Sequence, residues 1–181
     1  MRKVHNKTGR WPLAALVFIV IAALVIFTGC MGESTSDLSI GSKSPDFELY
    51  DLEGNIHKLS DYKGTPVLLN FWATWCGPCR SEMPHLEEIY GEWKDKDLTF
   101  FAINVGESSV DVISFMDYFG FSMPVLLDSA KTVSRKYGVS GIPTTYFIDE
   151  DGIIQSRVAG AFPDRERIEK YVTRLFQQGT D

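Results

Sequence analysis

Cysteine and histidine are scarce in this chain, and their scarcity removes several chemistries at once. The 181 residues hold three cysteines, Cys30, Cys76 and Cys79, and three histidines. A structural zinc site needs four ligands, commonly two spaced pairs of Cys or His. Beside the single Cys-x-x-Cys pair only His85 is near in sequence, so no such set exists. Covalent c-type haem attachment needs a histidine directly after the second cysteine, and Arg80 stands there. A peroxidase built on a similar core would need Thr or Ser three residues before its reactive cysteine, where this chain has Ala73. There is no internal repeat and no low-complexity stretch. Basic charge is also short: 18 Lys and Arg face 24 Asp and Glu. Four of the basic residues (Arg2, Lys3, Lys7, Arg10) precede residue 30 and no acid does, leaving fourteen against twenty-four, a net of −10 for the rest. A module that acidic repels phosphate backbones, which argues against nucleic-acid binding.

Long apolar runs are equally few. The one that stands out, Leu13 to Phe27, follows the basic cluster and leads into Thr28-Gly29-Cys30. Basic residues remain on the inner side of a membrane, so residues after 30 are expected on the outer side. Two readings of residues 1–31 stand side by side. Fifteen strictly apolar residues, extended by the mild Thr28 to Met31, approach the length of an uncleaved signal anchor. Phe27-Thr28-Gly29-Cys30 instead resembles a lipoprotein signal with Cys30 as the lipidated residue, although Phe27 replaces the usual Leu. Both leave the protein tethered, and Cys30 accounts for the odd cysteine. Gly- and Ser-rich residues 32–44 read as a flexible tether, and 45–178 as one domain of α/β type.

Within that domain, Phe47–Tyr50 and Ile56–Leu59 flank the turn-rich 51–55 and predict a hairpin at a sheet edge. Val67 to Trp72 reads as a buried strand. The helix after it carries Leu86, Ile89, Tyr90 and Trp93 at helical spacing and contains Pro84. Leu98 to Val105 is a second buried strand, parallel to the first through the crossover. A helix over 109–119, a strand at 124–127, a helix over 129–137, a hairpin of 144–148 with 153–158, and a final helix with Asp164 as N-cap complete the order.

Cys76-Gly77-Pro78-Cys79 therefore sits where the first buried strand turns into a helix. Helix N-terminal N–H groups stabilise a thiolate, so Cys76, at the helix mouth, is the expected nucleophile, and Cys79, one turn in, the resolving thiol. Attack on a disulfide of a target, then resolution, leaves the target reduced and Cys76–Cys79 oxidised. Neither a metal nor a bound cofactor is needed. A purely structural bridge over so short a loop would stabilise little.

Phe71 to Cys79, with Pro84 and Gly141-Ile142-Pro143-Thr144-Thr145, resembles the thioredoxin superfamily, in its AhpC/TSA-redoxin type. The resemblance implies a central mixed sheet flanked by helices, with an N-terminal hairpin and an added strand–helix unit, and a cis Ile142–Pro143 peptide facing the cysteines. Trp75, Gly77, Pro78, Ile142 and Pro143 then become candidate substrate contacts, with Trp72 in packing. Asn70 stands where cytoplasmic thioredoxin carries a buried acid. Glu82, three residues after Cys79, replaces that acid as candidate proton partner, although helix position alone would equally suit a solvated carboxylate. His57 has no evident partner. Tether, hairpin, Asn70, Glu82 and the run Asn104–Glu107 together resemble the membrane-tethered ResA/TlpA-like branch. That branch implies a monomeric reductant on the extracytoplasmic side of the cell membrane. Its client would be the haem-binding cysteines of apocytochrome c, and its electrons would come from a membrane thiol carrier of CcdA or DsbD type. The same chemistry on another exported client, for sporulation or the cell envelope, and a redox-inactive peptide-binding module are the alternatives.

Overall fold

The computed structural model describes residues 38–177. The expected membrane segment over 1–31, Cys30, and most of the tether lie outside them. Among the described residues no helix is long and apolar enough to cross a membrane.

Seven strands form one sheet: β1 (Glu48–Asp51), β2 (Ile56–Lys58), β3 (Val67–Trp72), β4 (Thr99–Val105), β5 (Val125–Asp128), β6 (Thr144–Ile148) and β7 (Ile154–Ala159). Their spatial order is β2-β1-β5-β4-β3-β6-β7. β3, β4 and β5 run parallel, as buried Val/Ile/Leu/Phe runs joined by helices must. β6 pairs antiparallel with β3, and β7 with β6. The predicted first hairpin is present, and its β1 joins β5 antiparallel at the sheet's other side.

Alternation along β3 sends Leu68, Asn70 and Trp72 to one face and Val67, Leu69 and Phe71 to the other. The first face packs against α1 (Gly77–Trp93), α2 (Ser109–Phe119) and α4 (Arg165–Gln177) through Met83, Leu86, Ile89, Val112, Ile168 and Val172. The second packs against Val133 and Tyr137, around the short α3 (Thr132–Lys136), and against Phe47 and Leu59. Pro84 lies inside α1, where it removes the N–H that would bond the Arg80 carbonyl. The predicted cap of α4 is made: the Arg167 N–H donates to Asp164 Oδ1 at 2.8 Å.

Two expectations differ. The helix predicted over 129–137 is only Thr132–Lys136, because the buried Asp128 carboxylate collects the Thr132, Val133 and Ser134 N–H groups at 2.7, 3.1 and 2.7 Å. This side chain at the end of β5 caps the helix from outside, and Lys131 makes the turn at φ 57°. The tether's last residues are also built into the domain. Gly41 N–H donates to Ile154 O at 2.8 Å, Ile154 N–H to Ser42 O at 2.9 Å, and Ser44 N–H to Gly152 O at 2.9 Å. Ser44 Oγ further shares a 2.6 Å hydrogen bond with the Tyr137 hydroxyl.

Candidate functional site

The β3–α1 junction delivers both cysteines. β3 is buried along its whole length and so fixes the take-off point. Residues 73–76 then make a tight turn, closed by the Cys76 N–H to Ala73 carbonyl bond at 3.2 Å. Cys76 is the N-cap of α1, with Pro78 at the helix start, where its missing N–H leaves nothing unsatisfied. Cys76 and Cys79 are disulfide-bonded, with Cα atoms 5.3 Å apart. Cys76 keeps 5% of its surface exposed and Cys79 none. The Cys79 N–H donates to Cys76 Sγ at 3.2 Å. A backbone donor already aimed at this sulfur, together with the positive end of the helix, favours its thiolate once the disulfide is reduced.

The second motif meets the first across the fold. The Ile142–Pro143 peptide is cis, and Cys76 Sγ lies 3.7 Å from the Ile142 carbonyl oxygen. Pro143 is buried and Gly141 exposed, so the chain surfaces just before β6. Gly77 and Pro78 are exposed beside the sulfurs. Trp75 is 69% exposed and Trp72 fully buried, the division the strand alternation predicts. An open cleft of about 640 Å³ begins at Thr74 and Trp75 and runs along α2 to Phe115, Tyr118 and Phe119.

Glu82 is fully buried. Its Oε1 accepts from Asn70 Nδ2 at 2.9 Å and its Oε2 from the Phe162 N–H at 2.8 Å. Burial pushes its carboxyl up to about 7, against the opposing pull of those two hydrogen bonds. A carboxyl that titrates near neutrality on the helix face of Cys79 is suited to general acid–base work. Asn70 Nδ2 also donates to Thr145 Oγ1 at 2.9 Å, its register partner on β6.

In the sequence, Glu107 stands out only as part of the familiar run Asn104–Glu107, with no role assigned. Just past β4, it accepts from the Thr74 N–H at 2.7 Å, from the Thr74 hydroxyl at 2.5 Å and from Asn104 Nδ2 at 2.7 Å. It thereby fixes the loop residue two before Cys76. The available signal was topological: β3 and β4 are parallel neighbours, so their C-terminal ends must lie side by side. His57, expected to be unpartnered, in fact bonds Asp51 Oδ2 at 2.9 Å and the Tyr62 hydroxyl at 2.6 Å. It belongs to the hairpin, outside the dithiol cluster.

A seven-stranded mixed sheet with a disulfide-bonded Cys-x-x-Cys pair at a strand–helix junction, opposed by a cis-proline, defines a thioredoxin-fold protein. Comparison with known proteins gives the family: residues 40–157 match the AhpC/TSA family model, and the chain belongs to that family. It is 39% identical over 163 residues to a thiol-disulfide oxidoreductase ResA of Geobacillus kaustophilus, covering 89% of this chain and 92% of that one. The ResA of Bacillus anthracis is 33% identical over 171 residues, with 93% and 98% covered. Among solved structures, a Chlorobium tepidum chain assigned as the thiol:disulfide interchange protein DsbE superposes with TM-score 0.71 at 34% identity, covering 77% of this chain and 99% of that one. The chain is accordingly a thiol–disulfide oxidoreductase.

Proposed function

We propose that this enzyme is a tethered extracytoplasmic reductant of protein disulfides, whose client is the haem-binding cysteine pair of apocytochrome c. The observation that carries the chemistry is the Cys79 N–H aimed at Cys76 Sγ, a donor that stabilises the Cys76 thiolate and readies it for attack. The reducing direction rests on Gly77-Pro78, which matches cytoplasmic thioredoxin, a strong reductant at about −270 mV. The Cys76 thiolate attacks one sulfur of the client disulfide; a mixed disulfide forms and a client thiolate leaves. Glu82 accepts the proton of the Cys79 thiol. The Cys79 thiolate then attacks Cys76 Sγ, the Cys76–Cys79 disulfide closes, and the second client thiolate is released. Two electrons pass to the client. A membrane dithiol carrier of CcdA or DsbD type restores them by the reverse exchange.

Trp75, Gly77 and Pro78 border the reacting sulfurs, and the exposed backbone before Pro143 offers an edge to an extended client segment. The catalytic groups are Cys76, Cys79 and Glu82. Tethering through residues 1–31, by lipid on Cys30 or by an uncleaved anchor, accords with the positive-then-apolar start of the chain. The test is trapping. Cys79→Ala leaves Cys76 unable to be resolved, so the client stays bound as a mixed disulfide that mass spectrometry identifies. Recovery of an apocytochrome c is the expected result. Its absence from cells making c-type cytochromes, with other exported proteins trapped instead, overturns the client assignment.

A further inference from the structure

Asn70 leaves one buried polar atom without a partner. Its Nδ2 serves both Glu82 Oε1 and Thr145 Oγ1 at 2.9 Å, while its Oδ1, equally shut off from solvent, has none. Unpaired buried acceptors are uncommon and ask for a reason. A fixed donor at Glu82 Oε1 favours the carboxylate. A proton placed on that oxygen toward Asn70 sets two donors face to face.

The other carboxyl oxygen offers no escape, because its donor is the Phe162 backbone N–H at 2.8 Å, which cannot turn away. An amide can. Turned by half a revolution about its Cβ–Cγ–amide axis, Asn70 brings Oδ1 to the position held by Nδ2. There it accepts from the Glu82 O–H and the Thr145 O–H together, and Nδ2 takes the unpaired place. The first orientation leaves the carbonyl oxygen unpaired and the second leaves the NH₂ group unpaired, so the turn exchanges one unpaired amide atom for the other and is driven by the carboxyl's proton.

We propose that Asn70 is a positioning residue with two settings, its carboxamide donating to Glu82 when the carboxyl is ionised and turning over to accept from it when the carboxyl is protonated. The inference rests on the reading of Glu82 as proton partner. Two elements besides its own helix bond this carboxyl, β3 through Asn70 and the segment before α4 through Phe162, and β6 reaches Asn70 through Thr145. On α1, Cys79 precedes it by three residues. Burial, the Asn70 amide and the Phe162 N–H are what act on its proton affinity. A group that supplies a matched partner to both protonation states lets the proton move without leaving a buried donor facing a donor.

The oxidised full-length protein provides the cleanest test, because a disulfide does not titrate and Glu82 is then free of thiol coupling. The Glu82 carboxyl carbon and the Asn70 side-chain amide are followed by NMR from pH 5 to 9. The expected result is a switch in the nuclear Overhauser contact between the Asn70 NH₂ and the Thr145 methyl group, with the same midpoint as the Glu82 carbon and absent in Glu82→Gln. A titrating Glu82 beside an unmoved Asn70 amide overturns the inference and spares Glu82. A Glu82 carbon that does not titrate overturns both. As a second measurement, Asn70→Leu removes the partner of both protonation states, so the Glu82 midpoint moves by well under about one pH unit. A rise of about one pH unit or more, the mark of a fixed donor that serves the ionised form alone, overturns the two-setting role.

Discussion

Asp51 and Glu82 both accept hydrogen bonds from their surroundings, and their proton affinities go opposite ways. Asp51, at the end of the first hairpin strand, feels a burial penalty, but His57, the Asn55 side chain and the Asn55 and Glu53 backbone N–H groups outweigh it and hold the carboxyl at about 2. Glu82 has two donors, both neutral, and no solvent; burial wins and the carboxyl rises to about 7. Four donors at the rim of the domain make a permanent anion that closes a turn. Two donors in the core make a group poised between states. The number of donors measured against desolvation separates a structural acid from a chemical one.

The largest test of that separation is functional. Cys76→Ser should reduce turnover in an insulin-reduction assay to background, whereas Asp51→Ala should leave it near wild type, since the hairpin does not touch the dithiol. Lost turnover in a folded Asp51→Ala protein would erase the distinction. Next is stability. Glu82 binds its proton more tightly folded (about 7) than at its ordinary 4.5, so the folded state holds more protons across that window and stability falls as pH rises through it. The loss comes to about 3 kcal/mol by pH 8, at 1.36 kcal/mol per unit. Denaturant melts of the oxidised protein at pH 5 and pH 8 read it, and Glu82→Gln should remove that component.

Asp51 runs the other way. Its folded affinity is depressed from 3.8 to about 2, so its contribution is fully present above pH 4 and disappears as pH falls toward 2. At pH 7, Asp51→Ala should lower stability by about 1–2 kcal/mol through the lost turn bonds, measured by the same melts. The smallest effect belongs to Glu107→Gln. Weakening its hold on Thr74 should slow insulin reduction by roughly threefold to tenfold, the scale of one hydrogen bond, with the melting curve little changed.

What could be read along the chain was what depends on near neighbours in sequence. The runs that became β3 and β4, the α4 stripe, the Gly120 stop of α2 and the two cysteines with their order all follow from local pattern. The cis-proline came from resemblance. What could not be read depends on partners brought together only by folding. Glu82 could have been a solvated acid; the Phe162 loop, eighty residues away, buries and bonds it. Glu107 meets Thr74 only because β3 and β4 are adjacent. Residues 38–44 look like linker by composition, yet their backbone pairs at the start of β7. The shortened α3 reflects one buried side chain, Asp128, acting ahead of any helical periodicity.

Finally, the unequal exposure of the two sulfurs imposes an order on every reagent. Cys76 shows a twentieth of its surface and Cys79 none, so client, electron donor and alkylating dye alike meet the same atom first. Of the two site thiols in a reduced sample, a bulky thiol reagent should therefore consume Cys76 at once and Cys79 only after unfolding. The site thus presents one thiol to the outside while holding two electrons.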